Sequence, residues 1–350
     1  MKNQRVVYFD YLRIIAIFSV VVLHVTTVNW DSGDVRSFSW QVHNFYDAIV
    51  RWGVPVFVMI SGALFLGKPQ PLQKLYGKNI LRIVATFAVW STLYAFWRQF
   101  ITHNNPSLKG LVKEILLGHY HLWFLFMIVG LYIVVPFLNK IVENDKTAWY
   151  FVILSLVFAF VIPQCAQLIG LRFDGASNII NQLISKLDLH MVLGYTGYYV
   201  LGYMLNKTVI KKKHEIIIYL LGFVGLAFTV VVSTLLSVRS QTPVITIFSN
   251  MTPNVFLVSV AVFTFAKQHW NKPAASAFTQ RTLPFLSQCT FGVYLIHPFF
   301  IEGLSKFANL STTSFNPIIS VPVLSVAVFA VSFLVSALLN RIPFVNKWFI

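Results

Sequence analysis

The sequence predicts an all-α, polytopic membrane protein, and three observations support this fold class. Of the 350 residues, 57% are hydrophobic and only 11% are charged, against roughly 25% charged residues in an ordinary soluble domain. Apolar runs of about 20 residues recur from end to end, and a helix of that length crosses the hydrocarbon core of a bilayer. Because no polar stretch is long enough for a separate soluble domain, we expect one integral-membrane domain over residues 1–350.

Polar residues divide the hydropathy into ten predicted transmembrane helices. The ten segments are Asp10–Trp30, Phe45–Leu66, Ile80–Phe100, Leu122–Leu138, Trp149–Ala166, Met191–Leu205, Ile216–Ser237, Pro253–Ala266, Pro284–Leu304 and Val321–Leu339. Pro253 opens the eighth segment, and Pro298 lies inside the ninth. Irregular backbone at membrane depth is tolerated only where protein or a wet cavity covers it, so these prolines indicate a protein-lined interior.

The 27 lysine and arginine residues, which give a formal net charge of +16, indicate topology rather than nucleic-acid binding. They lie between apolar runs instead of along one surface, and we therefore expect no nucleic-acid partner. With the N-terminus in the cytoplasm, more than twice as many of them fall on the inner side as on the outer side. The loop KTVIKKKHE, Lys207 to Glu215, makes the largest contribution. Both termini are therefore predicted to be cytoplasmic.

The first predicted helix carries polar residues that a simple membrane anchor does not need. His24 lies eleven positions after Arg13, a step that at about 100° per residue is within about 20° of whole turns and corresponds to roughly 16–17 Å along the axis. Asp10, one turn before Arg13, lies on the same side. We expect Arg13 at the cytoplasmic boundary, His24 past the midplane toward the outer leaflet, and the whole stripe facing protein or water.

This spacing suits an elongated donor whose anionic head stays in the cytosol while its reactive end enters the membrane. Acyl-coenzyme A has that shape, with a polyphosphate head, a neutral pantetheine arm and a thioester tip. A neutral imidazole beside the tip could accept the proton of a hydroxyl that attacks the thioester carbonyl. Snorkelling of Arg13 and simple packing of His24 remain the structural alternatives for each residue taken alone.

Four motifs occur in an order that resembles the membrane acyltransferase 3 family, whose members O-acylate bacterial surface glycans. The motifs are Arg-x10-His at Arg13 and His24, VPVFVMISGALFL at Val54–Leu66, YHLWFLFMIVGLY at Tyr120–Tyr132 and GVYLIHPFF at Gly292–Phe300. Ten spans with both ends inside agree with this family. The chain looks nearest to the O-acetyltransferases of enterobacterial common antigen type, without the extracellular esterase-like domain of some relatives.

The resemblance implies acetyl-CoA as the acyl donor, no permanently bound cofactor, a glycan or glycolipid acceptor and a place in the bacterial inner membrane. It also implies contacts between coenzyme A phosphates and the start of the third span. Where relatives carry an arginine pair, this chain has Lys78 and Arg82 four residues apart. Charge on one helical face is kept, but bidentate phosphate geometry is lost at Lys78. Ordinary positive-inside topology accounts for the two cations equally well.

Several further polar residues are candidate substrate contacts. Arg51 near the outer face is expected to pair with Asp47 one turn earlier, and Ser61 is a candidate hydrogen-bond donor to the oxyanion that forms near His24. His297 precedes Pro298, which frees a backbone carbonyl one turn earlier. Glu302 lies about 140° around the same helix from His297 and is expected to orient His24 or to neutralise Arg51.

His119 and His121 in GHYHLW suggest a metal site at first sight. No third or fourth ligand follows at a recognisable spacing, so we expect no metal. His121 and Trp123 better suit an outer platform on which sugar rings stack, and simple interfacial belt residues are the alternative.

Two other classes of protein compete with the acyltransferase. A transporter or flippase that moves a glycolipid or an acylated carrier suits ten helices with midplane polar residues, although no inverted repeat is recognisable. A membrane sensor is the third class, which the lack of a recognisable output domain disfavours. The acceptor sugar, the acyl chain length and the oligomeric state are not predicted by the sequence.

Overall fold

The computed structural model describes residues 5–68, 70–102, 107–186, 194–271 and 277–350, and within these ranges the chain is helical without a β-strand. The helices are α1 (Val7–Trp30), α2 (Phe38–Val50), α3 (Gly53–Phe65), α4 (Leu72–Thr102), α5 (Leu108–Leu117), α6 (Trp123–Val142), α7 (Asp145–Gly170), α8 (Asp174–Lys186), α9 (Tyr195–Lys207), α10 (Lys212–Ser240), α11 (Pro253–His269), α12 (Ala277–Ala308), α13 (Pro317–Leu339) and α14 (Pro343–Trp348). The prediction of an all-α fold is confirmed.

Seven spans within the described ranges are long and apolar enough to cross a membrane, which makes this a multi-pass protein. They are α1, α2 together with α3, α4, α6, α7, α10 and α13. The other three predicted spans correspond to α9, α11 and α12. Helix α9 has 13 residues, about 20 Å of helix, and the start of its predicted span, residues 191–193, lies outside the described part of the chain. The count of ten and the cytoplasmic placement of both termini stay predictions.

The second predicted span is two helices rather than one. Helix α2 ends at Val50, helix α3 begins at Gly53, and Arg51 and Trp52 form the break. Pro55 explains the break, because it has no N–H to donate to the carbonyl of Arg51. The break lets the Arg51 side chain enter the interior at one end of the bundle.

Helices α3 and α9 are in close contact, and their backbones meet through two glycines. A Cβ atom at Gly62 would lie 1.8 Å from the carbonyl oxygen of Tyr199, and one at Gly202 would lie 2.0 Å from that of Met59. Tyr198, Tyr199 and Val200 are fully buried around this contact. The sequence Ser61-Gly62 therefore places the short helix α9 at the centre of the bundle.

Replacing Gly62 with alanine is expected to destabilise the protein strongly, because the added methyl group meets backbone rather than a movable side chain. Overpacking costs about 1–3 kcal/mol where side chains can yield, and this site should exceed that range. Thermal unfolding in detergent measures the effect. Gly130→Ala on α6 is the matched control, since nothing lies within 4 Å of the Cβ position there. Equal unfolding temperatures for the two variants would contradict the α3–α9 contact.

Candidate active site

One cavity of about 660 Å³ runs along the inner side of α1 and carries polar side chains at both ends. Arg13 and Arg82 line one end, and His24 and Arg51 line the other. Apolar side chains of α3, α4 and α6, together with residues of α12, form the wall between these ends. The stripe predicted for α1 therefore faces a protein-walled cavity rather than lipid.

Arg13 is held at its end of the cavity by contacts to two neighbours. Its Nη1 lies 3.6 Å from Asp10 Oδ1 and donates to Ser287 Oγ on α12 at 3.5 Å. Asp10 itself is buried and accepts from Arg5 Nε and Nη2 at 2.6 and 2.8 Å. The structure thus places Asp10 behind Arg13 and off the cavity wall, as a support for the guanidinium rather than as a direct substrate contact.

Lys78 and Arg82 have different surroundings in the structure. Lys78 lies in a π-helical turn at Leu75–Ile80 and is exposed, whereas Arg82 lines the cavity. The Arg82 guanidinium donates to the backbone carbonyls of Asn346, at 3.1 Å, and of Ile350. The segment after α13 therefore folds back against Arg82, so a donor phosphate at this cation would have to compete with these carbonyls.

A second buried histidine supports His24 from behind. His24 Nδ1 lies 2.6 Å from His297 Nε2, and His297 Nδ1 lies 3.0 Å from the carbonyl oxygen of Val293. A carbonyl only accepts hydrogen bonds, so neutral His297 carries its proton on Nδ1 and accepts at Nε2. His24 must then donate from Nδ1, which leaves the lone pair of its Nε2 unprotonated. His297 is fully buried and off the cavity wall, as a positioning residue would be.

Glu302 binds residues other than those expected. Its Oε2 accepts from Trp97 Nε1 at 2.8 Å, and its Oε1 lies 3.0 Å from His119 Nε2. His119 Nδ1 in turn lies 3.0 Å from His121 Nδ1. The carboxylate therefore acts on the loop that precedes α6 and contacts neither His24 nor Arg51, because Glu302 faces α4 and that loop.

Arg51 and Asp47 form the ion pair that the sequence predicts. The guanidinium also lies 4.8 Å from the centre of the Phe248 ring, which is an attractive cation–π arrangement. Asp47 is fully buried, and its Oδ1 has no hydrogen-bond partner among the described residues. Asp47 therefore largely neutralises the positive charge that Arg51 places beside the cavity near His24.

The remaining candidates are distributed along the cavity wall. Ser61 lines the cavity, but its hydroxyl donates to the carbonyl of Phe57 at 3.0 Å, so it is not a free donor. Trp123 lines the same end as His24 and packs near Tyr195, with ring centres 5.8 Å apart. Tyr195 accepts a hydrogen bond from Asn250, another wall residue. The aromatic side of this end is therefore Trp123, which Tyr195 supports from behind, with the amide of Asn250 beside it.

The four histidines near this end of the cavity form hydrogen-bonded pairs rather than a shell around a common point. Within the described ranges, no group of three or more His, Cys, Asp or Glu side chains could hold a metal ion. The sequence did not identify Trp97, Tyr94 or Asn250 as parts of this region. Their contacts join positions more than 50 residues apart, and no local spacing indicates them.

Comparison with known proteins supports the family that the motifs indicate. A family model described as an acyltransferase domain matches residues 6–339. The chain is 19% identical over 306 residues to the probable poly-beta-1,6-N-acetyl-D-glucosamine export protein of Staphylococcus aureus strain MSSA476, and 20% identical to that of strain MRSA252. Each alignment covers 86% of this chain and 83% of the relative.

No solved structure matches this chain. Its resemblance to the O-acetyltransferases of enterobacterial common antigen type stays a prediction. The family match spans nearly all of the helices described above, including α1 with Arg13 and His24 and α12 with His297. The chain therefore belongs to the acyltransferase 3 family of membrane proteins.

Proposed function

We propose that this protein is an integral-membrane O-acyltransferase of the bacterial inner membrane. It moves an acetyl or other short acyl group from cytosolic acyl-CoA to a hydroxyl of a lipid-linked or cell-surface glycan. The observation that carries the proposal is the single cavity that has Arg13 at one end and the unprotonated Nε2 of His24 toward the other. The relatives in Staphylococcus, whose names refer to a polysaccharide, support a glycan acceptor.

The dimensions of the cavity support the assignment of the donor. Arg13 and His24 are eleven residues apart on one helix, which is roughly 16–17 Å of rise and suits an extended pantetheine arm. Arg13 binds the phosphate end, where a guanidinium gives short, charge-assisted hydrogen bonds. The apolar wall between the two ends accommodates the neutral arm and excludes bulk water from the thioester.

The contacts of His24 support its role as the general base. The acceptor hydroxyl gives its proton to His24 Nε2 while its oxygen attacks the thioester carbonyl carbon, and the carbon–sulfur bond breaks. The hydrogen bond from Nδ1 to His297 stabilises the imidazolium that forms. His297 Nδ1 bonds the backbone carbonyl of Val293, so His297 cannot pass the proton on. The proton therefore leaves again from His24 Nε2, to the departing thiolate. Attack by Nε2 itself, through an acyl-histidine, uses the same nitrogen.

Removing His297 is expected to slow the reaction without weakening donor binding. We expect His297→Leu to lower kcat by about 10²-fold, because His24 loses the partner that fixes its tautomer. His297→Gln should retain more activity, since its side-chain oxygen reaches the position of Nε2 and can accept from His24. The measurement is acetyl transfer from labelled acetyl-CoA, with kcat and KM determined separately. An unchanged kcat in the leucine variant would remove His297 from the mechanism.

The alternative function is export or flipping of a glycolipid or acylated carrier, and the names of the relatives favour it. Reconstituted protein supplied with labelled acetyl-CoA and a glycan acceptor separates the two functions. Label on the acceptor, lost in a His24 variant, supports the transferase, whereas movement of glycan without label transfer supports the exporter.

The acceptor is tested in cells. Surface glycans from strains with and without the gene should differ by one acyl group per modified unit when compared by mass spectrometry. Identical glycans would leave the transferase without support.

A further inference from the structure

The segment that follows α13 folds back and forms part of the cavity wall. We call residues Pro343–Ile350, which comprise α14 and the two residues after it, the strap. Asn346 and Ile350 of the strap line the cavity, as Arg82 does. Arg82 is the second cation at the Arg13 end of the cavity, so a segment that binds it bears directly on the donor site.

One face of α4 carries three hydrogen-bond donors that all meet main-chain oxygens of the strap. Arg82, Thr86 and Trp90 follow one another at intervals of four residues, which places them on one side of the helix. Trp90 Nε1 donates to the carbonyl of Phe349 at 2.9 Å. Thr86 Oγ1 lies 3.1 Å from the carbonyl oxygen of Trp348 and shares its hydrogen with the carbonyl of Arg82, at 2.9 Å. The strap therefore follows α4 from one donor to the next.

The contacts of Arg82 occupy the nitrogen that a phosphate needs. Nη2 carries two hydrogens and meets two main-chain oxygens, that of Asn346 at 3.1 Å and that of Ile350. A guanidinium binds phosphate bidentately through a pair of parallel N–H groups, which come either from Nη1 and Nη2 or from Nε and Nη2. Both pairs include Nη2, so neither is available while the strap is in place.

Apolar packing fixes one end of the strap and leaves the other end free to swing. Ile350 is 3% exposed and belongs to the same buried cluster as Trp90, and it packs against Gly292 of α12. Phe344, near the start of the strap, is 65% exposed. Hydrogen bonds to neutral acceptors contribute little net stability, because another acceptor replaces them. The strap is therefore held on α4 by contacts that a ligand can exchange.

We propose that the strap is a gate on the donor site, which closes over Arg82 when no donor is bound and which a donor phosphate displaces. This inference rests on the proposed function and names the regulation of its donor site. Phosphate oxygens carry a full negative charge, so their hydrogen bonds to Nη2 are stronger than those of the carbonyls they replace. A donor that lacks phosphates, such as acetyl-pantetheine, leaves the strap closed.

Loosening the strap should tighten the binding of coenzyme A. The apparent affinity of a ligand is reduced by the fraction of molecules in the competent state, here the open strap. Trp90→Phe removes the hydrogen bond to Phe349 and keeps an aromatic ring, and Trp90 is not a cavity-lining residue. We expect this variant to lower the Kd for coenzyme A, measured by calorimetry in detergent, by about 3- to 10-fold. The Kd for pantetheine should not change.

The sign of this change separates a gate from a support. If the strap instead held Arg82 in the orientation that phosphate requires, Trp90→Phe would weaken the binding of coenzyme A. Trp149→Phe is the matched control, because Trp149 is a partly buried indole on α7 that does not line the cavity. Its Kd for coenzyme A should equal that of the wild type. An unchanged or raised Kd in Trp90→Phe overturns the inference.

A nitroxide label on the strap follows the gate with α4 unaltered. Lys347 is exposed, and Lys347→Cys in a Cys165→Ser background provides one accessible thiol, because Cys289 is buried. Electron paramagnetic resonance should show that saturating coenzyme A raises the mobility of this label and that pantetheine does not. The same label at Lys146→Cys, an exposed position on α7, should respond to neither.

Arg82→Met tests whether Arg82 is the contact that the phosphate takes over. The strap label in this variant should be mobile before any ligand is added, and coenzyme A should change it no further. Coenzyme A that binds the wild type without mobilising the strap overturns the inference and leaves the proposed function standing. Release of the strap without any acyl transfer supports the gate and counts against the acyltransferase. If coenzyme A does not bind at all, the proposed donor is wrong and this inference falls with it.

Discussion

Replacing His24 with alanine is expected to reduce acetyl transfer by at least 10²- to 10⁴-fold, the range by which a positioned general base accelerates a reaction. The loss should fall on kcat, because Arg13 and the apolar wall that bind the donor remain. Labelled acetyl-CoA and purified protein in vesicles provide the measurement. Binding of acetyl-CoA, followed separately by calorimetry, should change little.

The matched control for this variant is His214→Ala. His214 is exposed and lies at the start of α10, far along the chain from the cavity-lining helices α1 and α12. The His214→Ala variant should transfer acetyl groups at the wild-type rate. Transfer that survives in His24→Ala at the level of this control would show that α1 supplies no base, and the exporter would then become the better account.

The polar stripe of α1 could be predicted because helical periodicity is local. Arg13 and His24 share a face by spacing alone, and the structure places both on one cavity wall. The partner of His24 could not be predicted in this way. His297 lies 273 residues away in the chain, and its orientation depends on a tertiary contact that brings α12 against α1.

The contacts expected of Glu302 were wrong, whereas the phosphate contact of Lys78 stays a prediction. Lys78 is exposed, and Arg82 lines the cavity. Glu302 was expected near His24 or Arg51 because it lies at the same membrane depth. The position of a residue along a helix predicts its depth in the membrane. The residue that it contacts depends instead on how the helix is rotated and packed, and α12 turns Glu302 toward Trp97 and His119.

The short length of α9, one of the three predicted spans beyond the seven, has a physical reason. Helix α9 is almost wholly buried by its neighbours, with Tyr198, Tyr199 and Val200 fully inside, so it needs neither full length nor lipid-facing residues. Its 13 residues are therefore fewer than the roughly 20 that a lipid-facing span needs.

Replacing Arg13 with methionine is expected to raise the KM for acetyl-CoA by roughly 10- to 100-fold, the value of one or two charge-assisted hydrogen bonds to phosphate. Methionine keeps an unbranched chain of similar length and removes only the guanidinium. The KM of Arg13→Lys should fall between those of the wild type and Arg13→Met, because lysine keeps the charge but cannot form the bidentate contact.

A truncated donor makes the role of Arg13 specific. Acetyl-pantetheine lacks the phosphates that Arg13 is proposed to bind, so the wild type should use it with a high KM and Arg13→Met should use it equally well. Lys146→Met is the matched control, because Lys146 is an exposed cation at the N-terminal end of α7, off the cavity. If Arg13→Met weakened both donors by the same factor, the guanidinium would be supporting the fold near Asp10 and Ser287 rather than holding phosphate. The difference between the two donors therefore measures the phosphate contact itself, separately from any damage to α1.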